Sequence, residues 1–347
     1  MDDERELRRL RATLLRGFLV RPAIYWADLA VSATVTWAAI LATMFARPTI
    51  AMVAFPVAVL AVLRATYFVH DISHSRRSLP GFELAWNLAI GIWVLLPSFM
   101  ADPHVDHHAP TTYGPPLDPE YEPVAGWGRA HILGSISMML IVPPLLVLRY
   151  GLIGPLAWFV PPLRRLVWAR MSTLQTNTAY TRAAIGSRTV RAISAELAAS
   201  AAVGALALAL MSGRLPPRVA LAWWAVTACA LVVNQARTLV AHAYTSSGEP
   251  MSLAEQVADS ATALGPPWLT GLVYPVGTQF HALHHLAPTL PYHALRAAHA
   301  RACEIGAPAA LRHTSHRGFA RALAFAWSRA GSRATIRSHR RRYGSVR

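Results

Sequence analysis

The sequence predicts an all-α integral membrane protein, with four transmembrane helices in two hairpins. Three observations lead there. Of 347 residues, 54% are hydrophobic and 14% charged, whereas soluble domains carry about a quarter charged residues. Four apolar runs approach the roughly 20 residues needed to cross a hydrocarbon core. The arginines gather between and beyond those runs, as in cytoplasmic loops and ends.

The runs fall at about 29–45, 50–69, 197–211 and 219–240. Arg47-Pro48 makes a tight turn between the first two, and Ser212–Arg218, with Gly213 and Pro216-Pro217, does so between the last two. Each pair is therefore expected as a hairpin whose open ends share one side. Arg64, near the end of the second run, is expected to snorkel. The stretch Leu84–Met100, containing Asn87, Gly91 and Pro97, reads as an interfacial or re-entrant helix. Leu133–Val160, interrupted by Pro143-Pro144, Arg149 and Pro155, reads as a broken hairpin dipping into the same leaflet. The expected organisation is a basic cytoplasmic segment over 1–28, a membrane domain over 29–305 and a basic cytoplasmic tail over 306–347.

A net charge of +16 invites a nucleic-acid reading. Its distribution excludes that class. All of it comes from arginine, in clusters at Arg5–Arg16, Arg76-Arg77, Arg164–Arg170 and Arg340–Arg342, and anionic lipid headgroups are the expected partners. Cys229 and Cys303 are too few and too far apart for a disulfide framework or an iron–sulfur centre. The arginine-rich N-terminus lacks a cleavable signal pattern, so the first apolar helix is expected to be retained. The expected location is a bacterial-type inner membrane, with both termini and the active site cytoplasmic.

Nine of the fifteen histidines form a pattern. His70 and His74 follow the second run and share a helical face. His104, His107 and His108 have i, i+3, i+4 spacing, and so do His281, His284 and His285. In both triplets the adjacent pair is splayed by about 100°, so neighbours can serve two metals. His242, at the end of the fourth run, joins as a ninth ligand. Nine nitrogen donors exceed the capacity of one ion, so two are implied. No His-Glu-x-x-His helix of a zinc protease is present, and no glutamate lies inside a histidine group. The nitrogen-rich set suits iron first and zinc second. Asp71, Asp106 and Asp102 are the aspartates near enough in sequence to orient ligand rings.

These residues resemble the membrane fatty acid desaturases, in which three histidine boxes occur in this order. The likeness extends to Tyr113-Gly114, Asp118-Pro119-Glu120-Tyr121, Asn234–Leu239 and Gln279–His293, and covers roughly residues 25–305. The resemblance implies a cytoplasmic helical cap enclosing a di-metal site of two iron ions, with O2 as co-substrate. It implies His70, His74, His104, His107, His108, His242, His281, His284 and His285 as the metal ligands. His293 is expected to pack beside the site, and His131, His299, His313, His316 and His339 to lie outside it. Departures at Ser75, Ala109 and Ala287 fall near the expected substrate path and bear on substrate identity.

The implied activity is desaturation of an acyl chain. An unactivated C–H bond lies beyond side-chain acids and bases, so the cofactor carries the hard step while the protein positions the lipid. Electrons are expected from a separate donor of ferredoxin, rubredoxin or cytochrome b5 type. The same scaffold admits a hydroxylase or ketolase acting on fatty acyl, sphingolipid or carotenoid substrates. A membrane metal transporter or sensor is the alternative of another class. It would place polar ligands near mid-membrane, whereas these histidines lie at span ends.

Overall fold

The computed structural model describes residues 2–114, 118–122, 124, 127–174, 176–177, 179–183, 189–246, 249, 251–312 and 314–330. Arg340–Arg342, His313 and His339 lie outside these residues.

The chain opens with α1 (Asp2–Gly17), followed by two long apolar helices, α2 (Pro22–Phe45) and α3 (Pro48–Ser75). Pro22 and Pro48 each stand in a first turn, where a missing N–H costs nothing. α2 therefore begins at Pro22, before the apolar run itself. At 28 residues α3 is about 42 Å long and overshoots a hydrocarbon core of about 30 Å. Its last turns carry His70 and His74.

Next come α4 (Phe82–Trp86) with a π turn over Asn87–Gly91, a 3-10 turn over Ser98–Ala101, and the short α5 (His104–His107). The stretch Leu84–Met100 is thus broken rather than a crossing, and Leu95 takes a positive φ of 60° within it. Helices α6 (Arg129–Met138), α7 (Val142–Leu148) and α8 (Gly154–Ala157) follow, with a π turn at Arg149–Ile153, and then α9 (Pro161–Arg170). The α6 and α7–α8 segments meet at a 46° bend, forming a broken span or a re-entrant loop.

Two more long helices are α10 (Thr189–Met211) and α11 (Arg218–Thr238); among the described residues four helices are long and apolar enough to cross a membrane, or five if the bent pair is one span. The remainder comprises α12 (Leu253–Asp259), β1 (Thr262–Leu264), α13 (Pro267–Val273), α14 (His281–Leu286), α15 (Leu295–Glu304), α16 (Ala309–Arg312), β2 (Ser315–Arg317) and α17 (Phe319–Arg329). β1 and β2 pair in parallel, a small departure from an all-α fold.

The two long pairs differ in packing. α2 and α3 lie along one another, and α11 rests on both. α10 instead packs against the Arg149–Ile153 turn, Ser98–Ala101 and α8. The second pair is a hairpin by connection, but its arms diverge. A buried ion cluster explains this. Glu196 of α10 meets Arg149 at 2.9 Å and Arg164 at 2.7 Å, away from α11. Arg64 pairs with Asp28 of α2 at 2.6 Å, and Tyr292 donates to the same carboxylate.

Candidate metal centre

The histidine groups arrive on three elements. The end of α3 brings His70 and His74, α5 with the next residue brings His104, His107 and His108, and α14 brings His281, His284 and His285. His242 follows the end of α11. All nine meet in two adjacent clusters. His70, His74, His104, His108 and His284 form one; His107, His242, His281 and His285 form the other, with ligand atoms in each cluster within 4.8 Å of one another. Helical geometry explains the partition. The i, i+4 pairs His70/His74, His104/His108 and His281/His285 stay together, while His107 and His284 reach across.

The ring nitrogens converge. His108 Nε2 is 3.0 Å from both His104 Nε2 and His284 Nε2. In the second cluster His242 Nε2 is 3.3 Å from His107 and 2.9 Å from His281, and His281 is 3.2 Å from His285. Metal–nitrogen bonds of about 2.1 Å meeting at a right angle leave nitrogens about 3.0 Å apart. Hydrogen bonds alone do not satisfy this arrangement. A neutral imidazole has one N–H, and those of His104 and His107 point outward to carboxylates. Their Nε2 atoms then present lone pairs inward. His70 Nε2 and His74 Nε2 are buried with no partner. Burial and neighbouring imidazoles push His108, His242, His281, His284 and His285 below the ordinary histidine range, keeping the rings neutral. A cation at each convergence point satisfies the inward-facing Nε2 atoms. Five nitrogens in one cluster exceed tetrahedral zinc and fit iron.

The carboxylates that orient these rings come from elsewhere than the histidine groups. Glu120 accepts from His104 Nδ1 at 2.7 Å, and Asp118 from His107 Nδ1 at 2.9 Å. Asp118 also accepts backbone N–H bonds from Gly114, Glu120 and Tyr121. Gly114 is needed there. Its φ is +80°, and an added Cβ would lie 2.7 Å from Ser246 Oγ.

Asp259 completes the set from the end of α12. A capping box between Ser252 and Glu255 starts that helix and so places its last residue. Asp259 accepts from Tyr113 at 2.9 Å, Tyr121 at 3.1 Å and both donors of Thr245. The Tyr113 oxygen is 2.9 Å from His242 Nδ1. Burial and Asp259 push the Tyr113 phenol up, so it keeps its proton. Donating that proton to Asp259, Tyr113 accepts from His242 Nδ1–H, leaving the Nε2 lone pair facing the cluster.

Asp71 and Asp106 lie elsewhere. Asp71 is about 100° around α3 from His70 and sits buried beside Tyr25. Asp106 receives Tyr180 Oη at 3.3 Å. Asp102 pairs with Arg76 and Arg182, tying the end of α3 to the start of α5. The sequence carried a signal for the ring-orienting carboxylates. Asp118-Pro119-Glu120-Tyr121 stands out beside the second box, but no periodicity says which ring it meets.

His293 Nε2 accepts the Arg21 backbone N–H at 3.3 Å and caps the entry to α2. His131 lies against Trp127, His299 against Phe280, and His316 is in β2. None of these four belongs to either cluster.

A cavity of about 300 Å³ opens onto His70, His104, His242 and His281. Its long wall is apolar, with Val62, Leu63, Val94, Met139, Leu146 and Leu231. Asn234, Gln235 and Arg237 form a polar wall on the α11 side. A mostly apolar space with a few polar groups is the usual form of a small-molecule site.

The fatty acid desaturase family model matches residues 48–317. The chain is also 36% identical over 305 residues to a ceramide hydroxylase of Caulobacter vibrioides (strain NA1000 / CB15N), covering 87% of each protein. With its apolar helices, clustered histidines and this match, the chain belongs to the fatty acid desaturase family, whose members are di-iron membrane enzymes.

Proposed function

We propose that the protein is an O2-dependent di-iron hydroxylase acting on a ceramide-type lipid. The observation that carries this reading is similarity across 87% of both chains to a protein named ceramide hydroxylase. Sequence alone put acyl-chain desaturation first and sphingolipid hydroxylation among the alternatives. The relative reverses that order.

Two bound irons would supply the oxidation of an unactivated C–H bond, which no side chain here can perform. His70, His74, His104, His108 and His284 would hold one iron, and His107, His242, His281 and His285 the other. Glu120, Asp118 and Tyr113 keep His104, His107 and His242 in the tautomer that offers Nε2 inward. The apolar wall binds the chain and excludes water, placing one segment of it against His70, His104, His242 and His281. Electrons come from a separate donor protein, and the site faces the cytoplasm in this reading.

Desaturation stays as the second reading, because the family model bears that description. Expression in a host that makes dihydroceramide, followed by lipid mass spectrometry, separates the two. A ceramide with one added oxygen, absent from a His284→Ala strain, is the expected product. Lipids that lose two hydrogens and gain no oxygen would overturn hydroxylation.

A further inference from the structure

Among the described residues Arg237 is the one arginine lining the cavity, and the metal centre does not use it. It is 6% exposed, and its Nε has no hydrogen-bond partner. Its guanidinium lies 4.5 Å over the Tyr67 ring, and its Nη2 donates to Asn234 Oδ1 at 3.2 Å. Tyr67 also donates to that oxygen, at 2.8 Å. These contacts hold the plane and one corner of the guanidinium and leave the Nε–H dry. Among the described residues no carboxylate bonds to it. A buried donor without an acceptor destabilises the fold unless something else supplies one. Arg237 and Asn234 both line the cavity, so a bound molecule that shifts the guanidinium slightly can supply it.

The acceptor's place follows from the neighbours. Tyr67 lies one helical turn before His70, and their ring centres are 6.3 Å apart. A mid-chain oxidation would place only methylenes on this wall, leaving the guanidinium unanswered. A lipid whose carbonyl lies a few bonds from the oxidised carbon answers it. The nearby polar groups Asn234, Gln235 and Tyr67 are uncharged, which suits a dipolar amide oxygen.

Building on the ceramide-hydroxylase reading, we propose that Arg237, set by Asn234 and Tyr67, binds the amide carbonyl oxygen of the substrate and fixes the position of oxidation. Tyr67 links that contact to His70, so the oxidised carbon falls on the segment next to that carbonyl, on either chain.

Tandem mass spectrometry of every oxidised lipid made by the expressed protein gives the position directly. Oxygen on the segment next to the carbonyl is expected, and mid-chain oxygen overturns the proposal. Arg237→Met should raise KM for dihydroceramide by about 10–100-fold and spread the product over several positions. Its iron content should not change, and Arg237→Lys should restore part of the selectivity. An unchanged KM and a single product position in Arg237→Met also overturn the proposal. Should Arg237→Met fail to accumulate, the wild-type position and the Arg237→Lys variant decide. Binding of dihydroceramide against its N-alkyl analogue, which lacks the carbonyl, reads the same contact without turnover. The wild-type protein should prefer the amide by about tenfold, and equal binding counts against the proposal. Oxidation near the carbonyl of a lipid other than ceramide would defeat the ceramide reading while keeping this one. Mid-chain oxidation of ceramide would do the reverse.

Discussion

Asp118 holds the His107 ring with both carboxylate oxygens, 3.0 and 2.9 Å from Nδ1, while the same oxygens take three backbone N–H bonds. Both groups are fully buried. Asp118→Asn replaces one acceptor with a donor facing other donors. Iron affinity should fall about 10–100-fold, read as iron retained after dialysis against a graded chelator. Retention equal to wild type would show that Asp118 serves the loop alone.

The two clusters predict separable ligand losses. His107→Ala removes a nitrogen from the four-histidine cluster, and His284→Ala removes one from the five-histidine cluster. Each should lower iron from two per chain toward one and reduce turnover by more than about 100-fold. His131→Ala and His299→Ala, outside both clusters, should keep full iron and activity. Iron analysis beside lipid product yield tests all four, and full activity in either cluster variant defeats the di-iron assignment.

Tyr113→Phe deletes the hydroxyl that bridges Asp259 and His242. Loss of one hydrogen bond to a buried carboxylate should cost about 1–3 kcal/mol of stability. Iron affinity should also weaken by about tenfold, because His242 Nδ1–H loses its acceptor. Thermal unfolding with and without added iron separates the two effects. A variant that loses stability but keeps wild-type affinity would leave Tyr113 only a packing role.

Glu122 introduces a pH dependence. It is 5% exposed beside Gln235, its Oε2 has no partner, and burial raises its carboxyl from 4.5 to about 7. The folded state keeps the proton up to about pH 7, while the unfolded chain releases it near 4.5. The contribution of this group to stability is therefore complete below 4.5 and is lost as pH rises through 7. Glu122→Gln should remove that slope and stabilise the protein at pH 8 by on the order of 2–3 kcal/mol. Unfolding curves of both proteins in detergent from pH 5 to 8 provide the check, and parallel pH slopes would refute it.

Several arginines that mark topology in the sequence also hold structure. Arg76 bridges Glu83 and Asp102, and Arg164 reaches Glu196. Charge counting along a chain sees clusters of positive residues. It does not see the few acids that fold back onto them, because those acids lie 7 to 32 residues away with no common period.

The sequence by itself determined the four apolar helices and the grouping of histidines at helical spacing. Both are local properties. Hydrophobic run length measures a bilayer, and i, i+3, i+4 spacing puts side chains on set faces of a helix. Even the division of His107 from His108 follows from the 100° step between neighbours. Tertiary structure alone decided the rest: that Asp118, Glu120, Asp259 and Tyr113 orient the rings while Asp71 and Asp106 turn away. It also set α10 apart from α11 and left Arg237 with an unanswered donor in the cavity wall. These contacts join loops and distant helices, where chain separation carries no period and burial sets the need for a partner.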